Sequence, residues 1–214
     1  MASRVAFLFH VHTNRSVDSF MPMKYVMKYC KKKNIRLIAM CEHNYLMPSS
    51  ERKALEKEYG VRIMPAIEYA TNYGDIIAMG TEEFSKTREC TELIEFIKHQ
   101  GGLIILPHPY RGHALNKIPM EKIDLIETFN GRCSNKENMA AINLASHLEK
   151  IGIAGCDAHF PWELGLAMNE IDVNFAEDDD IELLVESMGI VHNKRGCPKV
   201  NSFLSQVVKT IKLP

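Results

Sequence analysis

No apolar run in this chain approaches the length of a membrane span, which argues against a bilayer-crossing helix. The stretch after Met1-Ala2-Ser3-Arg4 is too short for a signal peptide, so a cytoplasmic protein is expected. Charge of either sign is not in excess. Lys and Arg number 26 against 27 Asp and Glu, a formal net charge of −1. Global electrostatics therefore offer no attraction for nucleic acid or an anionic membrane, and any grip on an anion must be local. A basic stripe interleaved with aromatics, the mark of single-strand tracking, is also missing. The six cysteines (30, 41, 90, 133, 156, 197) include no C-x-x-C pair. They read as reduced thiols, several of them small hydrophobes inside apolar runs. Linkers, repeats and low-complexity stretches are lacking too. With 46% hydrophobic residues, the 214 residues suit one globular domain spanning 1–214.

Strand-like and helix-like patterns alternate along that length. Val5 to Phe9 reads as a strand. Met23, Val26, Met27 and Cys30 then form the stripe of an amphipathic helix, with Pro22 near its start. Arg36 to Cys41 is a strand, and Ser49 or Ser50 caps a helix running to Glu58. Val61 to Ile67 and Asp75 to Met79 are further strands. Thr91 caps a helix carrying Leu93, Phe96 and Ile97. Leu103 to Leu106 follows the Gly101-Gly102 breaker, and Asp124 to Phe129 comes next. Ser134 and Glu137 make a capping box for a helix with Ala141, Ile142, Ala145 and Leu148. Gly152 to Cys156 is a strand. Asp178 to Glu186, with the acidic run Glu177 to Asp180, reads as a solvated helix start. Val200 to Ile211 is a final helix. Strands that alternate with helices or long loops imply a mainly parallel sheet, open or closed into a barrel.

The chemistry gathers where these strands end. His10 and His12 are two residues apart in an extended segment, so both imidazoles face one side. Asp18 follows them. Cys41-Glu42-His43-Asn44 ends the second strand, Glu68 the third, and Pro107-His108-Pro109-Tyr110-Arg111 the fifth. Asn130-Gly131-Arg132 ends the sixth, and Gly155-Cys156-Asp157-Ala158-His159 the seventh. In a parallel barrel all these ends share one face, and catalytic residues collect there. Imidazole and carboxylate donors in that number suit Zn, Mn or Fe, two or three ions together.

These stretches resemble the PHP domain, a family named for polymerase and histidinol phosphatase. His-Val-His-Thr-Asn-Arg-Ser-Val-Asp-Ser (10–19), Cys-Glu-His-Asn (41–44), Ile-Glu (67–68), His-Pro-Tyr-Arg (108–111), Ile-Glu-Thr-Phe-Asn-Gly-Arg (126–132) and Gly-Cys-Asp-Ala-His (155–159) occur in the family's order. The resemblance implies a distorted (β/α)7 TIM-like barrel and a trinuclear metal centre that hydrolyses phosphoesters. Carried over, His10, His12 and Asp157 hold one ion, and Glu68 bridges to a second that His108 helps to hold. Asp18, His43 and His159 hold a third. Glu42, where the family usually has aspartate, orients ligands rather than binding an ion. Many members carry a further histidine near the end of the next strand. Here Gly74 to Gly80 has none near Ile77, and Asp75 is a possible substitute, so the second ion is expected to be less completely held.

The expected function is hydrolysis of a small phosphate monoester or nucleotide by a metal-activated hydroxide. Glu68, Asp157 and His159 carry catalysis in this reading. Arg111 and Arg132 bind phosphoryl oxygens through their planar guanidinium groups, and His113 touches substrate. His99, His147 and His192 are ordinary surface or helix residues, and Lys31-Lys32-Lys33 is a solvated patch at a helix end. Long nucleic acid and membranes are not expected partners. Two alternatives stand beside this reading: a non-catalytic metal-binding scaffold of the same family, and a metal-dependent hydrolase of a C–N or lactone bond. Substrate, native metal and oligomeric state are not legible in the residues.

Overall fold

A computed structural model describes residues 4–172, 189–192 and 199–212. The expected helix over Asp178 to Glu186, the acidic run before it and Cys197 lie outside the described residues.

The strands are β1 (Arg4–Val11), β2 (Ile35–His43), β3 (Arg62–Thr71), β4 (Gly74–Met79), β5 (Leu103–Leu106), β6 (Leu125–Asn130), β7 (Ile151–Gly155), β8 (Met168–Asp172) and β9 (Gly189–His192). The helices are α1 (Met23–Lys32), α2 (Ser49–Tyr59), α3 (Cys90–His99), α4 (Asn135–His147) and α5 (Lys199–Lys212). One sheet joins the strands in the order β7-β6-β5-β4-β3-β2-β1-β8-β9, and β1 to β8 curl into a nearly closed TIM-like barrel. Two contacts close it. Cys156 and Ala158 donate backbone N–H groups to Phe9 and His10, while His12 donates to Ala158. Lower down, the buried Asn169 side chain on β8 pairs with both backbone groups of Ala154 on β7, at 2.9 and 2.8 Å. A primary amide there does the work of a missing ladder rung.

Alternating residues fill the barrel. Phe7, Phe9, Leu37, Ala39, Cys41, Met64, Ala66, Ile77, Met79, Leu103, Ile105, Leu125, Ile153 and Ile171 form one buried cluster. The opposite parity of β1 and β2 (Leu8, Ile38, Met40) packs under α1 and α2 against Val26, Met27, Cys30, Leu55 and Tyr59. Ile67, Ile76, Ile104 and Ile126 pack under α3.

The sheet is less parallel than the alternating pattern implied. β4 runs antiparallel to both β3 and β5, and β8 runs antiparallel to β1. A two-residue connection, Asn72-Tyr73, is too short for a crossover and forces the reversal. β1, β2, β3, β5, β6 and β7 still share one direction. Their C-terminal ends therefore form one face, joined there by the start of β4.

Two helix caps differ from expectation. Ser49 is the first residue of α2 and Pro48 its N-cap, with no side-chain cap bond. Thr91 lies inside α3, whose first N–H, on Cys90, is taken by the distant Asn72 Oδ1 at 3.0 Å. The Ser134–Glu137 capping box on α4 is present in both directions. Ser134→Ala should lower unfolding free energy by about 1 kcal/mol, read by urea denaturation.

Candidate metal centre

Each ligand candidate is aimed by local backbone, and in three cases by strain. In β1, Phe7 and Phe9 point into the barrel, so simple alternation would turn His10 outward. Instead His10 has φ 61°, and the β1–β2 register shifts between Leu8 and Val11. That bulge resets the parity: Val11 joins the outer core, while the His10 and His12 rings are inward neighbours, 5.1 Å apart. His108 (φ 28°) and Asp157 (φ 50°) are the same kind of exception at the ends of β5 and β7. Left-handed backbone costs a non-glycine residue roughly 1–3 kcal/mol, and it persists where surroundings over-determine it. His43 and Glu68 need no such device, since each continues the inward parity of its strand.

The eight proposed ligands fall into three converging groups: His10, His12 and Asp157; His10, Glu68 and His108; and His12, Asp18, His43 and His159. Within each group the donor atoms lie within 4.8 Å of one another. His10 and His12 each belong to two groups, so the sites share walls. Asp75 lies outside these groups.

The histidine tautomers follow from what stands behind each ring. Glu127 Oε1 lies 2.7 Å from His10 Nδ1, and a carboxylate only accepts, so Nδ1 carries the proton and Nε2 is left for the centre. Ser16 Oγ gives its hydrogen to Glu42 Oε2 at 2.6 Å and so accepts from His12 Nδ1 at 3.1 Å and from the His43 N–H at 2.9 Å. His159 Nδ1 faces the Asp157 carbonyl at 3.0 Å. Nε2 of His10 and of His12 are both buried with no hydrogen-bond partner, as are Asp18 Oδ1, Glu68 Oε2 and His108 Nδ1. Leaving such atoms unpaired costs about 1–3 kcal/mol each. A divalent cation is the ligand that would satisfy imidazole nitrogens and carboxylate oxygens together, so the residues fit a metal centre.

The electrostatics agree. Burial depresses the His10 imidazole, but Glu127, Glu68 and Asp157 outweigh it and hold it well above its ordinary value. His43 is raised against its burial by Glu68 and Asp18. His12 is pushed well down by burial and by His159 and His43. Glu68 is held well below the carboxylate range against its burial by His10 and His43, and Asp157 likewise by Arg111 and His10. With no cation, protons on some imidazoles balance the buried carboxylates.

The remaining candidates are placed differently from one another. Arg111 donates to Asp157 Oδ2 at 2.7 Å, with Asn130 Nδ2 at 3.2 Å from the same oxygen, so Oδ1 alone faces His10, His12 and His159. Its side chain stays 38% exposed and borders the pocket. Arg132 also borders the pocket, but only 5% of its side chain is exposed. Its donors go to Glu163, the Asn201 carbonyl and Ser205 Oγ. His113 Nε2 bonds the Asp75 carbonyl at 2.9 Å, and burial together with His108 pushes it down to about 4. Its ring fills the space beside Gly74, where an added Cβ would lie 2.3 Å from Cδ2. Reversal of β4 carries Ile77 and Met79 into the barrel and puts Gly74 and Asp75 at the metal face. The Asp75 carboxyl is raised by burial and by Glu68.

Two supporting carboxylates escaped the sequence reading. Glu127 accepts from the His108 N–H at 2.7 Å and Asn130 Nδ2 at 2.9 Å as well as from His10. Gly155 makes room for it, since a Cβ there would fall 1.6 Å from Oε1. Glu163 accepts from the N–H groups of His159 and Phe160 at 2.7 and 2.9 Å. A charged residue at the inward parity of β6, two after Leu125, was a usable signal for Glu127. Nothing local marks Glu163.

A family model described as PHP-associated matches residues 135–184. An uncharacterized protein of Methanocaldococcus jannaschii, MJ0417, is 32% identical over 185 residues, covering 80% of this chain and 73% of that one. A two-domain protein of Bacteroides vulgatus, containing a predicted PHP-like metal-dependent phosphoesterase, superposes with a TM-score of 0.66 at 16% identity, over 91% of this chain. The chain belongs to the PHP family. It spans 64% of that two-domain chain. A further likeness, at the level of fold, is to Endonuclease Q in complex with a duplex bearing an abasic lesion. There the TM-score is 0.56 at 15% identity, over 79% of this chain and 53% of that one. PHP membership, the three donor groups and their orphaned atoms together support divalent metal binding.

Two outcomes follow. Glu127→Gln should weaken metal affinity roughly 10- to 100-fold, because a carboxylate that orients two ligands loses an acceptor; competition against a chelating dye reads it. The second concerns pH. His10 and His43 are raised, so in chelator-treated protein their contribution to stability is complete below 6.5 and is lost as pH climbs through the raised values. Cations need those protons gone, so their affinity rises over the same interval. The gap in Tm between ion-loaded and chelator-treated protein should therefore widen as pH increases above 6.5, in differential scanning fluorimetry.

Proposed function

We propose that this chain is a divalent-metal-dependent phosphoesterase that hydrolyses a small phosphate monoester or nucleotide, with residues 1–214 acting as one cytoplasmic catalytic unit. No described helix is long and apolar enough to cross a membrane. One observation carries the reading. All three donor groups converge on one face, and a pocket of about 450 Å³ lined by Asp18, His43, Glu68, Asp157 and His159 gives access to them. That volume accommodates a small ligand rather than a long polymer. A larger groove, about 740 Å³, lies at the opposite end of the barrel around Arg36, Arg52 and Arg62. It contains none of the donor groups, and Arg52 there is already paired with Glu82.

Two or three ions, of Zn, Mn or Fe, would be held by the three groups. When bound, such ions neutralise phosphoryl charge and bring the pKa of water toward about 7. The chain's own residues do the rest. Glu68 lies between groups, within 3.4 Å of His10, His12, His43 and His108, and fixes their spacing and charge. Arg111 and Asn130 hold one Asp157 oxygen so that the other stays aimed at the centre. The same exposed guanidinium of Arg111 is available to phosphoryl oxygens. Asp18 bonds His159 at 3.0 Å and lies 3.3 Å from His43, which keeps both rings at the pocket wall. In this proposal His159, at the same wall, meets the leaving group. The apolar barrel beneath excludes water from the inner side of the cluster.

Elemental analysis of protein purified without chelator should show more than one ion per chain, and Glu68→Gln should lower phosphatase turnover by at least roughly 100-fold, beyond the range for outer partners. Thermal unfolding on the same samples should shift far less. Equal activity in the two proteins would remove Glu68 from the centre. Trace metal only, after incubation with Mn or Zn, would overturn the metal reading.

A further inference from the structure

Helix α5 lies across the metal face with an unusual distribution of side chains. Its buried residues, Asn201, Ser205 and Val208, include two polar side chains, and Leu204 and Lys212 beside them are half-buried. Phe203 and Ile211, each 67% exposed, and Val207 face outward. An amphipathic helix that packed only for burial would do the reverse. Both ends are tied to loops that carry donor residues. Near its start, Ser205 Oγ and the Asn201 carbonyl accept from Arg132, and Asn201 Nδ2 donates to Glu163 Oε1 at 3.0 Å. Glu163 is the residue that holds the His159 backbone. At its end, Lys212 Nζ donates to the carbonyls of Asn14 and Ser16 at 3.1 and 2.7 Å and to that of Ser19. Those residues belong to the loop that carries Ser16 and Asp18.

Between these anchors a third face of the helix borders the pocket: Ser202, Ser205, Gln206 and Lys209. The spacing 202, 205, 206, 209 is one helical stripe. Among the described residues, three Lys or Arg side chains line the pocket, and two of them are paired within the protein: Arg111, still 38% exposed, with Asp157, and the buried Arg132 with Glu163. Among the described residues, Lys209 makes no ion pair or hydrogen bond, and its side chain is exposed. We propose that Lys209 binds the phosphoryl group of the substrate alongside Arg111, and that α5 is the wall that restricts the pocket to small or terminal phosphates. An ammonium on a flexible stem suits a mobile anion. Ser202 and Gln206, on the same stripe, supply hydrogen-bond donors to it. The assignment rests on the phosphoesterase reading for its role in turnover but not for anion binding itself.

The test uses the full-length, metal-loaded protein as wild type, Lys209→Gln and Lys209→Arg. Inorganic phosphate is titrated calorimetrically, and p-nitrophenyl phosphate is used for kinetics. Lys209→Gln should weaken phosphate binding about tenfold and raise KM by a similar factor, as expected for loss of one charge-assisted hydrogen bond. Its kcat, metal content and Tm should stay near wild type, and Lys209→Arg should recover most of the affinity. Equal phosphate affinity in wild type and Lys209→Gln, or no phosphate binding by wild type, would overturn the proposal. Wild type that binds phosphate through Lys209 yet hydrolyses no ester would uphold the anion site and defeat the hydrolytic reading instead.

Discussion

The structure turns on a dense set of buried carboxylates facing buried imidazoles at the mouth of an apolar barrel. Glu68, Asp157 and Glu127 sit directly above side chains such as Ile77, Ile105 and Leu125, where charge is poorly tolerated. Such a layer is stable only if positive charge enters it. Arg111, protons on His10 and His43, and divalent cations are the available sources, and they compete for the same oxygens and nitrogens. Most of the other local features serve this balance: the positive φ angles at His10, His108 and Asp157, the tautomers fixed by Ser16 and Glu127, and the missing side chain at Gly155.

The supporting residues act in chains rather than singly. Glu42 holds Ser16, and Ser16 holds both His12 and the backbone of His43. Glu127 holds His10, His108 and Asn130, and Asn130 passes the constraint on to Asp157. Glu163 joins His159 to Arg132, and Arg132 joins that loop to α5. In this way residues from both ends of the described chain hold one cluster in register. A substitution in the outer partners therefore acts on ligand geometry without touching a ligand.

The candidate metal donors at strand ends were legible because their signals are local. The His10–His12 pair, Glu68 after an apolar run and the Asp157–His159 pair each announce themselves within a few residues. The Ser134–Glu137 cap is equally local, and it formed as read. The reading weakened wherever a partner lies far away in sequence. Arg132 looked free to bind phosphate because its acceptor, Glu163, is 31 residues on and its other contacts lie in α5. Lys209, on a segment that reads in sequence only as a final helix, drew no attention because nothing near it in sequence places it beside Asp18 or His159.

By itself the sequence determined the donor set, the order in which it is spread over strand ends, and the apolar alternation that fills the barrel. Those are properties of residue type and short-range periodicity, which backbone geometry converts directly into facing. Tertiary structure alone decided the rest. It set the bulge that turns His10 inward against the parity of Phe7 and Phe9, and the reversal of β4 that brings Asp75 rather than Ile77 to the metal face. It also closed the barrel through Asn169 and folded α5 back over the site. Each of these depends on which distant group satisfies a buried donor or acceptor, and that pairing exists only once the chain has closed on itself.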